Sequence, residues 1–210
     1  MGNGDIVSIE FTGKESATGK VFDTTSKEKA EKGGIYNPRS AYGPVIVIEG
    51  AGEILLGLEK ALTGMKEGEE KTITLLPVDA FGERNPELVR VLPLQEFKNH
   101  NISAIPGSMV NVNDALGKVQ SVSGGRVRVD FNPELAGKTV EYDVKVLKYY
   151  KTDSEKLSAL ALKAFPSLEN AASAVRHEKE MVEITLQGNQ FRNAQQNAPG
   201  FAKLVLDHVK

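Results

Sequence analysis

The sequence predicts an α+β fold: a short apolar helix clamped between strands under a sheet, a β-rich module interrupting that sheet, and a small α/β region after it. Three observations carry this. Residues 45–82 read as strand, turn, short helix, charged turn, strand and loop. Residues 139–147 place Val140, Tyr142, Val144 and Val146 on one face, so they need a partner sheet, yet a separate β-rich stretch stands before them. Past Tyr150 the apolar spacing becomes helical.

In chain order, Val7, Ile9 and Phe11 alternate as on a half-buried strand, and with Val21 and Phe22 they predict a first hairpin over residues 5–25, its polar loop at 14–20. The charged stretch 27–34 and the Tyr-, Pro- and Gly-rich stretch 36–44 together predict one long solvated loop. Val45 to Ile48 is a β-branched run behind Gly43 and Pro44, which favours a strand. Gly50, Ala51 and Gly52 break it. Ile54, Leu55, Leu58 and Leu62 then fall on one helical face, and Gly64 suits a left-handed cap. Residues 66–69 predict an exposed turn, and 72–76 a strand that stops at Pro77.

After Gly82 and Asn85-Pro86 come the apolar stretch 88–94, a polar patch at 99–101, and alternating Val110 and Val112. Val119 and Val122 precede Gly124-Gly125, and Val127, Val129 and Phe131 alternate again, which predicts a small antiparallel set with a Gly-Gly hairpin. In the last region Thr152 and Glu155 form a capping-box pattern ahead of a helical stripe of Leu157, Leu160, Ala161 and Ala164 that ends at Pro166. A second helix is predicted from Ser167 through Leu168, Ala171, Ala172 and Val175. Val182, Ile184 and Leu186 predict a strand turned by Gly188, and Asn197 with Pro199 a last helix carrying Phe201, Leu204, Val205 and His208. Some 60 residues of this kind are marginal alone, so the region is expected to dock on the main domain or on a second copy, giving a homodimer.

Composition narrows the functional classes. The 210 residues are 40% apolar with a formal net charge of −2, both signs interspersed, so a nucleic-acid partner is not expected. The absence of cysteine excludes a disulfide framework, an iron–sulfur cluster and a thiol nucleophile. The three histidines, His100, His177 and His208, are widely scattered, so no metal role is expected. No stretch approaches the ~20 apolar residues of a membrane span, and the first residues lack a basic segment followed by an apolar run, which together predict a cytoplasmic protein with no membrane partner.

Taken in order, the strand at Val7 to Phe11, Gly13, Gly19, Val21-Phe22-Asp23-Thr24, the 45–76 unit, Ala80-Phe81-Gly82 and residues 131–144 resemble the FKBP-type peptidyl-prolyl cis-trans isomerases. The likeness is narrower to the SlyD-like members with an insert in the flap. The resemblance implies an FKBP-like antiparallel sheet wrapped on a short helix. Its isomerase domain would be residues 1–84 and 134–150, its insert-in-flap chaperone domain 85–133, and its C-terminal α/β domain 151–210. It implies acceleration of proline-limited folding, with unfolded, proline-containing chains as substrate and no cofactor.

The resemblance further implies a pocket of Phe11, Phe22, Asp23, Val45, Ile54, Leu55, Leu58, Phe81 and Tyr142. Ile54 and Leu55 match a pair where a backbone N–H receives a ligand carbonyl, Leu58 is the floor under the proline ring, and Phe22-Asp23 stands at the rim. Asp23 reads equally as a turn residue capping Thr24 to Ser26. The family usually has tyrosine at the positions of Phe11 and Phe81, tryptophan at Leu58 and often phenylalanine at Val45. A less polar, roomier pocket follows, with at most weak binding of macrolide inhibitors. Loss of both tyrosines also leaves a second reading, an FKBP-like module that binds without turnover. In SlyD-like proteins the insert holds unfolded chain, and Leu92, Leu94, Phe97, Ile102, Ile105, Met109 and Val112 supply both the candidate surface and the module's own core.

Overall fold

Strand β1, Ile6–Glu15, is the axis of the main sheet because its sequence buries side chains on both faces: Val7 and Ile9 alternate with Ile6, Ser8 and Thr12, all buried. The structure, a computed structural model, describes residues 4–165, 175–178, 181–184 and 194–209. The chain divides into two compact units, Met1–Leu75 with Thr139–Lys210, and Leu76–Lys138.

In the first unit β1 is followed by β2, Val21–Thr24, then by helix α1, Lys27–Lys32, strand β3, Val45–Ile48, helix α2, Leu56–Leu62, and strand β4, Glu70–Leu75. The second unit carries β5, Val89–Pro93, α3, Leu94–Asn99, β6, Met109–Val112, β7, Ala115–Ser123, and β8, Arg126–Asp130. The chain returns to the first unit with β9, Val140–Tyr150, α4, Asp153–Ala164, β10, Val175–Glu178, β11, Met181–Ile184, and α5, Ala194–His208.

The main sheet is antiparallel in the order β2-β1-β9-β4, with β3 also on β1. Strand β9 pairs along the whole of β1 and, on its other side, with β4 from Glu70–Lys145 to Leu75–Val140. The expected sheet, the strand at Val45 to Ile48 and the late strand that closes it are therefore present. Gly64 adopts φ 94°, as its place after α2 requires.

Three local expectations are corrected. Residues 27–32, expected to be loop, form a helix, because Ser26 accepts the Lys29 N–H and Lys32 pairs with Glu28 one turn away, while only Ala30 is buried. Ile54 and Leu55, expected on the helical face, precede it: Leu55 has φ −56° and ψ 136° and is the N-cap of α2. Val175, expected on a helix, opens β10 and pairs with Ile184. The rest of that expected helix, from Ser167 through Ala172, and the Leu186 and Gly188 positions lie outside the described residues.

The end of the chain docks on the main sheet. Ile6 and Ile48 lie on the face opposite Val7 and Val47, and they form one buried cluster with Ala159, Leu160 and Ala161 of α4, Phe165, and Phe201 of α5. Helix α4 opens on the capping box expected at Thr152 and Glu155, both hydrogen bonds being made. Helix α5 starts three residues before Asn197 and contains Pro199 rather than opening at it. Among the described residues no helix is long and apolar enough to cross a membrane, and no cluster of His, Asp or Glu is arranged to hold a metal.

The second unit is a four-stranded sheet in the order β5-β8-β7-β6 around Phe97, Val110, Val119, Val127 and Val129. Gly124 and Gly125 take φ 56° and 73° in the hairpin between β7 and β8. The unit is wider than 85–133 because its two connecting segments are joined to each other. Gly137 N–H donates to the Gly82 carbonyl at 2.8 Å, Asn85 N–H to Asn132 Oδ1 at 2.8 Å, and Arg84 pairs with Asp130.

Candidate active site

The inner face of the sheet presents a cluster of aromatic rings, and Phe11 in it is positioned by hydrogen bonds to its own backbone, most of them with threonine hydroxyls. Phe11 sits between two threonines of the neighbouring strand end. Its N–H donates to Thr25 Oγ1 at 3.0 Å, and its carbonyl accepts from the Thr24 and Thr25 hydroxyls at 3.1 and 3.2 Å and from the Thr25 N–H at 3.0 Å. Four bonds on one residue fix where its ring can point. Tyr142, buried in the middle of β9, lies 5.8 Å from Phe11 and 5.7 Å from Phe22 between ring centroids, tilted to the first and edge-on to the second. These separations and angles are those that aromatic quadrupoles favour.

The gap that admits these rings is made by Gly13. It pairs directly with Tyr142, and a Cβ there would stand 2.7 Å from Phe22 Cζ and 2.9 Å from Tyr142 Cε1. Any side chain would push both rings away. A glycine inside a strand signals close approach, which is the trace this residue left in the sequence, although its partners could not be read there.

Electrostatics in the cluster follow from burial. Desolvation raises the Tyr142 phenol well above its ordinary value, and the carboxylate of Asp23 raises it further. Partial desolvation raises Asp23 above the ordinary carboxylate value, against a lowering hydrogen bond from the Thr24 backbone. Asp23 belongs to β2 and takes the Thr24 backbone hydrogen bond, the Ser26 N–H goes to Thr24 Oγ1 at 3.1 Å, and Ser26 is the N-cap of α1. Phe11 carries no hydroxyl, so the hydroxyl of this cluster is that of Tyr142 on β9, subject to the charge of Asp23.

The remaining pocket candidates divide. Val45 pairs with Ile9 at the start of β3 and is 36% exposed. Leu58 is 2% exposed in α2, and Ile54 and Leu55 are half-buried immediately before that helix. The rings of Phe11, Phe22 and Tyr142 are in contact. Phe81 is half-buried in the second unit, after the 3-10 turn Pro77–Asp79, where Gly82 N–H donates to the Pro77 carbonyl at 2.7 Å.

The insert candidates separate into core and surface. Phe97 is buried at the centre of the second unit, and Leu92, Leu94, Ile102 and Val112 pack against it. Ile105 and Met109 are 60% and 56% exposed, and two residues outside the sequence-based set join them: Val91 at 57% and Leu116 at 63%. Strand alternation marks these two, since Val91 adjoins inward Leu92 and Leu116 adjoins inward Gly117. Val91 and Met109 stand opposite Arg128 and Lys118, so aliphatic and cationic side chains share the outer face of this sheet.

Comparison with known proteins agrees with this architecture. The family model described as "FKBP26, IF domain" matches residues 90–135, within the second unit. The FKBP-type peptidyl-prolyl cis-trans isomerase SlyD of Treponema pallidum is 29% identical over 164 residues, 76% of this chain and 84% of that one. An FKBP-type 16 kDa peptidyl-prolyl cis-trans isomerase of Escherichia coli is 30% identical over 133 residues, 61% of this chain and 84% of its own length. A short-type peptidyl-prolyl cis-trans isomerase of Methanocaldococcus jannaschii is 34% identical over 152 residues, and the match takes in 72% of this chain and 96% of that protein. An alignment that runs through nearly the whole of a relative at this identity fixes the relationship: the chain belongs to the FKBP-type peptidyl-prolyl cis-trans isomerases.

Proposed function

We propose that this isomerase accelerates proline-limited folding of unfolded chains, that the X-Pro imide is received on the inner face beside Phe11, Phe22 and Tyr142, and that the outer face of the insert sheet retains the rest of the substrate. The observation that carries the first part is the packing of the Phe11 and Phe22 rings on Tyr142, with Phe22 and Tyr142 closing over Gly13, a surface whose lining is almost wholly apolar.

Imide rotation needs neither nucleophile nor proton transfer. Its barrier is about 18–20 kcal/mol and arises from amide resonance, which water bonded to the carbonyl helps to maintain. A dry wall that fits the twisted imide better than the planar one lowers that barrier, at about 1.4 kcal/mol for each tenfold in rate. Leu58 is the floor under the proline ring in this reading, and the N–H at Ile54 or Leu55 takes the substrate carbonyl.

Exposed Val91, Ile105, Met109 and Leu116 support the second part. Such side chains contact unfolded, apolar segments without selecting a sequence. Interleaved cations keep the face wetted between substrates. Retention raises the local concentration of proline sites at the ring cluster without any new contact there.

The experiment uses two substrates. With Ile105, Met109 and Leu116 all changed to serine, a proline-containing tetrapeptide is expected to be isomerised at the parental rate, while refolding of a proline-limited protein at catalytic ratios slows by about tenfold or more. Equal refolding rates for variant and parent would rule out the holding role. Refolding unaffected by the parent protein at substoichiometric amounts would rule out the folding role altogether.

A further inference from the structure

Helix α4, which belongs to neither the sheet nor the insert, reaches the segment between β3 and α2. Lys163 Nζ donates to the Ile46 carbonyl at 2.8 Å and to Glu53 Oε2 at 2.9 Å, and the same Glu53 oxygen accepts the Ile48 N–H at 3.2 Å. Both side chains are about three-quarters covered, at 25% and 27% exposure. Glu49 exchanges hydrogen bonds with Gly4 and Asp5 on the β1 side, so alternation turns the backbone groups of Ile46 and Ile48 to the outer edge. There the Lys163–Glu53 pair takes the place of a neighbouring strand on an otherwise open edge.

The other end of the segment is tied from α2. Glu59 Oε1 accepts the Gly50 N–H at 2.7 Å and the Gly52 N–H at 3.4 Å, and both glycines hold positive φ, 83° and 67°. Ile54 and Leu55 follow directly. The helix bearing Lys163 is itself anchored, because Leu160 and Ala161 are buried with Ile6 and Ile48.

We propose that Lys163 is a positioning residue for the isomerase, holding through Glu53 the segment that delivers Ile54 and Leu55 to substrate. The C-terminal region then sets the geometry of the site from behind the sheet. This rests on the reading above, in which that pair receives the substrate carbonyl. A charge-assisted bond to an edge carbonyl is shorter and stronger than a neutral one.

The test uses the full chain with Lys163→Met, which keeps the alkyl stem, and Lys163→Arg, which restores a cationic donor. Amide hydrogen exchange and kcat/KM on a proline tetrapeptide are measured together. Lys163→Met is expected to speed exchange at Ile48 and at residues 50–55 about fivefold or more while Val7 and Val144 keep their protection, and to lower kcat/KM about three- to tenfold. Lys163→Arg is expected to recover most of both. Unchanged exchange in Lys163→Met overturns the inference at its structural step. Faster exchange with unchanged kcat/KM overturns it at its functional step and places the fault in assigning substrate to Ile54 and Leu55. Should Lys163→Met not fold, Glu53→Gln, which keeps an acceptor for Ile48 but no charge for Lys163, is read by the same two measurements and the same criteria.

Discussion

The ring of Phe22 meets the ring of Tyr142 edge-on, with planes at 81° and centroids 5.7 Å apart, over the bare Cα of Gly13. The contact is thus set by a residue that has no side chain. Gly13→Ala is expected to cost about 1–3 kcal/mol of stability, as overpacking does, and to lower isomerase turnover per folded molecule by splaying the two rings. Denaturant titration gives the first quantity and a tetrapeptide assay on the folded fraction the second. Unchanged turnover would remove the ring cluster from the site.

Leu58→Ala separates floor from core. At 2% exposure the leucine contributes to packing wherever substrate binds, so a loss of about 2–5 kcal/mol is expected. If it also supports the proline ring, kcat/KM falls further than the folded fraction does. A fall explained wholly by unfolding would assign Leu58 to the core alone.

Tyr142→Phe keeps the ring and deletes the hydroxyl. Because burial, aided by Asp23, holds the phenol pKa well above ordinary, the hydroxyl stays protonated through neutral and mildly alkaline pH. Wild-type activity should therefore show no alkaline limb from this group. If the wall acts by shape, the variant retains activity within about threefold of the parent. A larger loss would make the hydroxyl a hydrogen-bonding participant.

The cap of α4 gives a pH signature. Glu155 is lowered from its ordinary 4.5 to about 2 by its bond from Lys148 and by the N–H groups of Lys151 and Thr152. A carboxylate depressed in the folded state adds stability that is complete above the unfolded value and disappears as acid protonates it. Stability should thus fall between pH 4.5 and about 2, and fall less in Glu155→Gln. Parallel urea midpoints for the two proteins across that window would contradict the assignment.

Gly117 tests the independence of the two units. A Cβ there would lie 2.6 Å from Val129 Cγ1 and 2.7 Å from Phe131 Cδ1, within the core of the insert. Gly117→Ala should loosen that unit and impair protein refolding activity, while tetrapeptide isomerisation stays close to the parental rate. Equal loss in both assays would show that the ring cluster depends on the insert.

Local signals in the sequence carried the elements whose causes are local. The capping box at Thr152 and Glu155, the paired glycines at 124 and 125, and the β-branched run at Val45 each act within a few residues. Helix α1 escaped because it buries only Ala30 and so shows no apolar stripe, its support coming from a cap and an ion pair one turn apart. Ile54 and Leu55 have helical spacing without helical backbone, since periodicity does not see where the N-cap falls. The site was legible only in part for the opposite reason. What Gly13 makes room for, and what Lys163 holds 110 residues from Glu53, are defined by partners that only the folded sheet brings near.

The strand order has a consequence for the growing chain. Strand β1, made first, borders β2 and β3 on one side, but its other side waits for β9, whose last residue is Tyr150. Every strand pair of the insert sheet lies within residues 89–130. During synthesis, which proceeds at about 5–20 residues per second, the insert has all of its strands while the central strand of the isomerase still has an open side. The insert sheet thus has its full set of pairings while the main sheet still lacks the strand that joins β1 to β4.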